Sequence, residues 1–185
     1  MSALAPPLFF YEPGEPFWEL MNISQHAVWH EGKRYSTAEH LFHAFMFLDT
    51  PRADLAEEIR VQNTWLSAVR LANNNTQHQR TDWDEVKISC MEAVVAAKFS
   101  QHDDALTMLL STGERQLVYN SPYDSFWGCG KDGQGKNEFG KILANMRTVL
   151  ALRRTTRASV DAAIANEQTS QGCTATATVA MPSAT

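Results

Sequence analysis

Two groups of residues in this chain have the types and spacing to do chemistry. The first is Glu39, His40 and His43 in "STAEHLFHAFMF". Glu39 and His43 lie four apart, so a helix makes them neighbours on one face. Such a cluster could begin a metal site. The order E-H-x-x-H is not the H-E-x-x-H of zinc proteases, however, and no third ligand stands out, so no metal is expected. Taken alone, Glu39 also reads as a helix cap, and the histidines as half-buried side chains. The second group is the glycine-rich loop "FWGCGKDGQGKNEFGK", residues 126–141. Gly128-x-Gly130-x-x-Gly133 matches the dinucleotide fingerprint in letters, but "SPYDSFW" ahead of it is turn chemistry and not a strand. Gly135-x-x-x-x-Gly140-Lys141 resembles a phosphate-binding P-loop, except that Ile142 stands where Mg²⁺ binding needs Ser or Thr. What survives both tests is a loop delivering its backbone to a helix entry near Asn137, where free N–H groups favour an anion. A tight loop with Asn137 as its cap fits the same letters.

These groups need elements to hold them. Phe9 to Tyr11 reads as a short strand, "HAVWHEGKRYS" as a hairpin turning at Glu31-Gly32, and Leu117 to Tyr119 as another strand. Ser36 and Glu39 have capping-box spacing ahead of a helix whose apolar face is Leu41, Phe42, Phe45 and Leu48, ended by Pro51. Helices are predicted over about 53–61, 64–72, 82–99, 102–111 and 137–153, with Thr81 capping 82–99 and Gly113 ending 102–111. The helix over 82–99 carries Trp83, Val86, Cys90, Val94 and Ala97 on one side. The class is therefore α+β, a mostly helical single domain with a small antiparallel sheet. It spans residues 8–154, and 155–185 is expected to be a low-complexity, disordered tail, because Gln168 to Thr185 has no charge and little apolar bulk.

The 185 residues suffice for one domain with a hydrophobic core. No apolar run approaches membrane-spanning length, and no secretory signal is seen at the start. Three scattered cysteines without C-x-x-C suggest reduced thiols and a cytoplasmic protein. A net charge of −5 argues against general nucleic-acid coating. Yet Phe139 to Val160 holds five cations and no acid (Lys141, Arg147, Arg153, Arg154 and Arg157), which suits a helix C-terminus or a local strip for phosphates.

Taken together, "YSTAEHLFHAFMF", "RTDWDEVKISCM", "AAKFSQ", "STGERQLV" and "SPYDSFWGCGKDGQGKNEFGKILANMR" resemble the NADAR superfamily of YbiA-like N-glycosidases, over about Phe9 to Arg147. The resemblance implies a compact α+β fold and cleavage of a nitrogen–ribose bond. The substrate would be a phosphorylated ribosyl small molecule of riboflavin metabolism or an ADP-ribosyl adduct, with no cofactor. Breaking such a bond builds positive charge on the sugar, so the site needs an anion near C1′ and a means of holding or protonating the base. Glu39 is the expected carboxylate, assisted by Asp124 or Asp132. Trp127 would stack the base, and Gly128, Gly130, Asn137 and Lys141 would hold phosphate or ribose. Trp127 could equally be a core aromatic and Asp124 a turn residue. His43 and Tyr119 are expected in the pocket and depart from the family pattern. Where the family commonly reads E-H-x-x-Q-A-x-K-F, this chain has His43 and Met46, and Tyr119 replaces a frequent Glu. Met46 can supply neither the charge nor the Schiff base of a lysine. Fungal members of the edodin type remove a base from ribosomal RNA. That substrate would give the cation run a function, and loss of activity would leave a nucleotide-binding module.

Overall fold

The computed structural model describes residues 5–174. The first strand, β1 (Leu8–Phe10), buries Leu8 and Phe10 and exposes Phe9, the alternation of a sheet with one wet face. It pairs in parallel with β4 (Leu117–Tyr119), Leu8 opposite Leu117. The second pair is the expected hairpin, β2 (Val28–His30) antiparallel to β3 (Lys33–Tyr35). Its turn residues Glu31 and Gly32 have φ 48° and 75°, the left-handed geometry that matches strand twist in a two-residue turn.

After the hairpin comes α1 (Ala38–Ala44), short and almost wholly buried, against which α2 (Asp54–Arg60), α3 (Trp65–Asn73) and α4 (Trp83–Gln101) pack. Its N-cap is Thr37, without a side-chain cap bond, so the expected capping box from Ser36 to Glu39 does not form. The Glu39 N–H instead donates to the Asn22 carbonyl at 3.0 Å. A true capping box sits at α3, where Thr64 and Ser67 exchange side-chain and backbone bonds.

The buried face of α4 is Trp83, Met91, Val94, Val95, Lys98 and Phe99, with Val86, Cys90 and Ala97 only half-buried. It is rotated from the expected face because a lysine belongs to it. The Lys98 ammonium is fully buried and donates to the carbonyls of Glu19 and Met21 and to Ser24 Oγ, at 2.5–2.8 Å. Burial pushes it down to about 7, while three acceptors match the three donors of a protonated amine. Asp82, not Thr81, is the N-cap of α4, and it makes no cap bond. After α5 (Asp103–Ser111) the chain turns at Gly113, φ 58°.

The last helix, α6 (Glu138–Thr174), is much longer than the expected 137–153. The chain divides into one unit ending at Thr148 and another beginning at Val149. In the first, α6 buries Phe139, Ile142 and Leu143. In the second, it continues as helix with the side chains of 152–164 exposed. The tail expected from 155 thus begins as helix, and residues 175–185 lie outside the described residues. No helix among the described residues is long and apolar enough to cross a membrane.

Candidate active site

A cavity of about 310 Å³ opens where α1 meets the loop ahead of α6. Its wall brings together five of the expected site residues: Glu39, His43, Tyr119, Asp124 and Trp127. Each arrives from a different constraint. Glu39 and His43 are one turn apart on α1, which is why both face the same side. Tyr119 ends β4, and its ring stacks on Phe10 at 5.9 Å. Asp124 folds its own loop, Oδ1 accepting the N–H groups of Phe126 at 2.9 Å and Trp127 at 2.7 Å. That turn fixes the entry of Trp127, whose ring is wedged edge-on between Phe42 (5.5 Å) and Phe126 (4.9 Å).

The Glu39 side chain is only 20% exposed. Burial raises its carboxyl above the usual range, and the nearby Asp124 adds to the rise. His43 and the Asn22 amide pull the other way. His43 Nδ1 donates to the Glu39 backbone carbonyl at 3.0 Å and lies 3.5 Å from Glu39 Oε1. In the neutral ring this bond puts the proton on Nδ1 and leaves Nε2 an acceptor. The Tyr119 phenol is also raised by burial, only partly offset by Ser121, so it stays a neutral O–H donor. The cavity therefore offers a carboxylate of raised basicity, a neutral phenol and a fixed aromatic wall.

The other expected residues lie elsewhere. Asn137, Gly140 and Lys141 line a separate hollow with Arg115, Lys136 and Arg147. Asn137 is buried at φ 52°; its Oδ1 accepts from the Tyr119 N–H at 2.9 Å, and its Nδ2 donates to the Leu117 carbonyl at 2.8 Å. The amide thus acts as a strand neighbour along the free edge of β4. Lys141 pairs with Glu138 at 2.8 Å. A Cβ at Gly140 would overlap the Leu117 carbonyl, and one at Gly135 would overlap the Gly128 carbonyl, so these glycines serve close approach. Gly128 and Gly130 are buried in the same knot, the Gly128 carbonyl accepting from the Asn137 N–H at 3.0 Å. Asp132 is exposed and caps the Gln134 N–H. Met46 is buried away from the cavity wall. His40 turns from Glu39 to Thr37 Oγ1 (2.8 Å) and the Gln62 carbonyl (3.2 Å). Among the described residues, no group of three or more His, Cys, Asp or Glu is placed to hold a metal ion.

Sequence reasoning missed several wall residues: Met21, Asn22, Phe42, Val69, Met91 and Phe139. Phe42 sits on the apolar face expected of its helix, which signals core and not a cavity wall. Asn22 carried no signal beyond being a polar residue inside "ELMNIS".

The architecture and the cavity define a small α+β protein whose pocket sets an acidic group against aromatic rings, as ligands with a sugar and a base require. The NADAR domain model matches residues 9–151, and the chain belongs to that family. It is 36% identical over 140 residues to an N-glycosidase of Nostoc punctiforme, covering 76% of this chain and 90% of that protein. A riboflavin biosynthesis protein of Vibrio vulnificus is 35% identical over 149 residues, 80% of this chain and 40% of that longer protein. The NMR structure of the E. coli protein YbiA superposes with a TM-score of 0.75 at 30% identity, covering 83% of this chain and 90% of that one.

Proposed function

We propose that this protein is a hydrolase of N-glycosyl bonds, cleaving between ribose C1′ and a base nitrogen in a nucleotide-type small molecule. The observation that carries this reading is the shared cavity of Glu39 and Trp127. As the C–N bond breaks, its electron pair leaves with the base and positive charge develops on the sugar ring. The Glu39 carboxylate stabilises that charge and takes a proton from the attacking water, for which its raised basicity suits it. Trp127 stacks the base, and the neutral Tyr119 hydroxyl donates toward the departing nitrogen. Asp124, oriented by its two backbone bonds, steers the base or the water. His43, 3.5 Å from Glu39 Oε1, holds the carboxylate in place.

The phosphate needs cations. Lys87 and Lys136 lie over the Phe126 ring at 4.4 and 5.1 Å, and that ring meets Trp127 at 4.9 Å. We assign the phosphate to this pair of cations, in place of the Asn137 and Lys141 cradle expected from the sequence. Met46 leaves no lysine at the position where the family commonly has one, so this route rests on Glu39 and water. A phosphorylated ribosyl substrate and reduced thiols fit a cytoplasmic enzyme.

A second reading, an RNA substrate as in the edodin-type toxins, draws on the exposed Arg153, Arg154 and Arg157. It is weakened at the start of the run, where Lys141 is paired with Glu138 and Arg147 is bonded to Thr112 Oγ1 and the Arg115 carbonyl. One experiment separates the readings. The protein is incubated in parallel with a ribosylated pyrimidine phosphate, an ADP-ribosylated guanine and intact ribosomes. Free base is resolved by chromatography, and ribosomal RNA is cleaved with acid aniline. Base released from a small substrate is the expected result. A single aniline fragment with no small-molecule turnover would establish the RNA reading. Thermal stabilisation by nucleotide without base release would leave a non-catalytic binding module.

A further inference from the structure

Asn22 is 4% exposed and forms part of the cavity wall. Its backbone carbonyl accepts from the Glu39 N–H at 3.0 Å, and its Nδ2 donates to Met91 Sδ at 3.1 Å. Its Oδ1 is buried with no hydrogen-bond partner among the described residues. Buried amide oxygens are rarely left bare, and one in the wall of a pocket points to a ligand donor. Turning the amide over does not relieve it, because the N–H group that now faces Met91 Sδ and favours the Glu39 carboxylate would give way to an oxygen. The site is preorganised around an acceptor.

Resting on the N-glycosidase reading, we propose that Asn22 Oδ1 accepts a hydrogen bond from the ribose 2′-hydroxyl and makes the site selective for ribose over 2-deoxyribose. The bond between the Asn22 carbonyl and the Glu39 N–H sets the amide beside the carboxylate that serves C1′. Of the sugar atoms adjoining C1′, the ring oxygen carries no proton, and the 2′-hydroxyl is the donor. Glu39 and Asp124, as carboxylates, carry no proton to give this oxygen, so its donor comes from the ligand. Positive charge at C1′ strengthens the donor, and the contact therefore tightens as the bond breaks.

The test compares ribose 5-phosphate with 2-deoxyribose 5-phosphate by titration calorimetry on the full chain, alongside base release from a ribosylated substrate. The wild-type protein is expected to bind the deoxy sugar at least about tenfold more weakly. Asn22→Leu, which removes the acceptor and keeps the volume, is expected to narrow the preference to about twofold or less. Equal binding of both sugars by the wild type would overturn the inference without any variant, even if Asn22→Leu fails to fold. So would a folded Asn22→Leu that keeps the full preference. If base is released while either of those results is found, the inference falls and the N-glycosidase reading stands. If there is neither base release nor binding of either sugar, both fall.

Discussion

Glu39 carries its charge into a place that disfavours it, and this governs two predictions. Its carboxyl is raised in the folded protein by burial first and by Asp124 after that. Between its ordinary value of 4.5 and the raised one, the folded state binds more protons than the unfolded state, so stability falls as pH rises through that window. Glu39→Gln removes the penalty. The variant should melt above the wild type at pH 7 and lose that advantage as the pH approaches 4, as followed by circular dichroism. In activity the sign is opposite, since the carboxylate form is the useful one. The acid limb of kcat/KM should lie above pH 4.5, and Tyr119, raised from its ordinary 10.0, should impose no alkaline limb below that value. At this scale the sequence was informative where spacing maps onto one helix face: Glu39 and His43 are neighbours as their separation requires. Asn22 was invisible because its role depends on contacts with Glu39 and Met91, both distant along the chain.

Among the elements, the glycine loop shows how one set of letters supports two physical readings. Anion binding and close packing both demand glycine, and only the coordinates show the backbone of α6 and the loop pressed against β4. Asn137 completes that contact with two bonds to the β4 backbone. Asn137→Ala leaves those buried groups unpaired and keeps a left-handed φ on a residue less suited to it. It should cost roughly 2–3 kcal/mol in urea unfolding. Michaelis constants measured well below its melting temperature should change little; a large rise in KM with unaltered stability would return Asn137 to the binding site. Buried Lys98 misled the reading of α4 for a similar reason. A hydropathy pattern treats a lysine as surface, and here its three acceptors keep it inside.

For the whole molecule, the hairpin and the helix order were legible because turn residues and apolar periodicity write them into neighbouring residues. The parallel pairing of β1 with β4 was not, since its partners, Leu8 and Leu117, belong to opposite ends of the folded unit. Nor was the length of α6, whose continuation exposes its side chains from 152 to 164 and so shows no apolar period to read. Ending the chain after Arg157 should therefore shift the melting temperature by about 2 °C or less, because exposed side chains away from special features contribute little. A loss of solubility or a larger drop would assign the segment a structural part. The central claim is that one acidic side chain in one cavity breaks the ribose–base bond. Its most direct test is the rate of base release by Glu39→Gln on the ribosylated substrate the wild type cleaves, with ribose 5-phosphate binding as the control for an intact pocket. The account predicts a fall of about a hundredfold or more with binding within about threefold of wild type. A variant that binds normally and still releases base at close to the wild-type rate would contradict it.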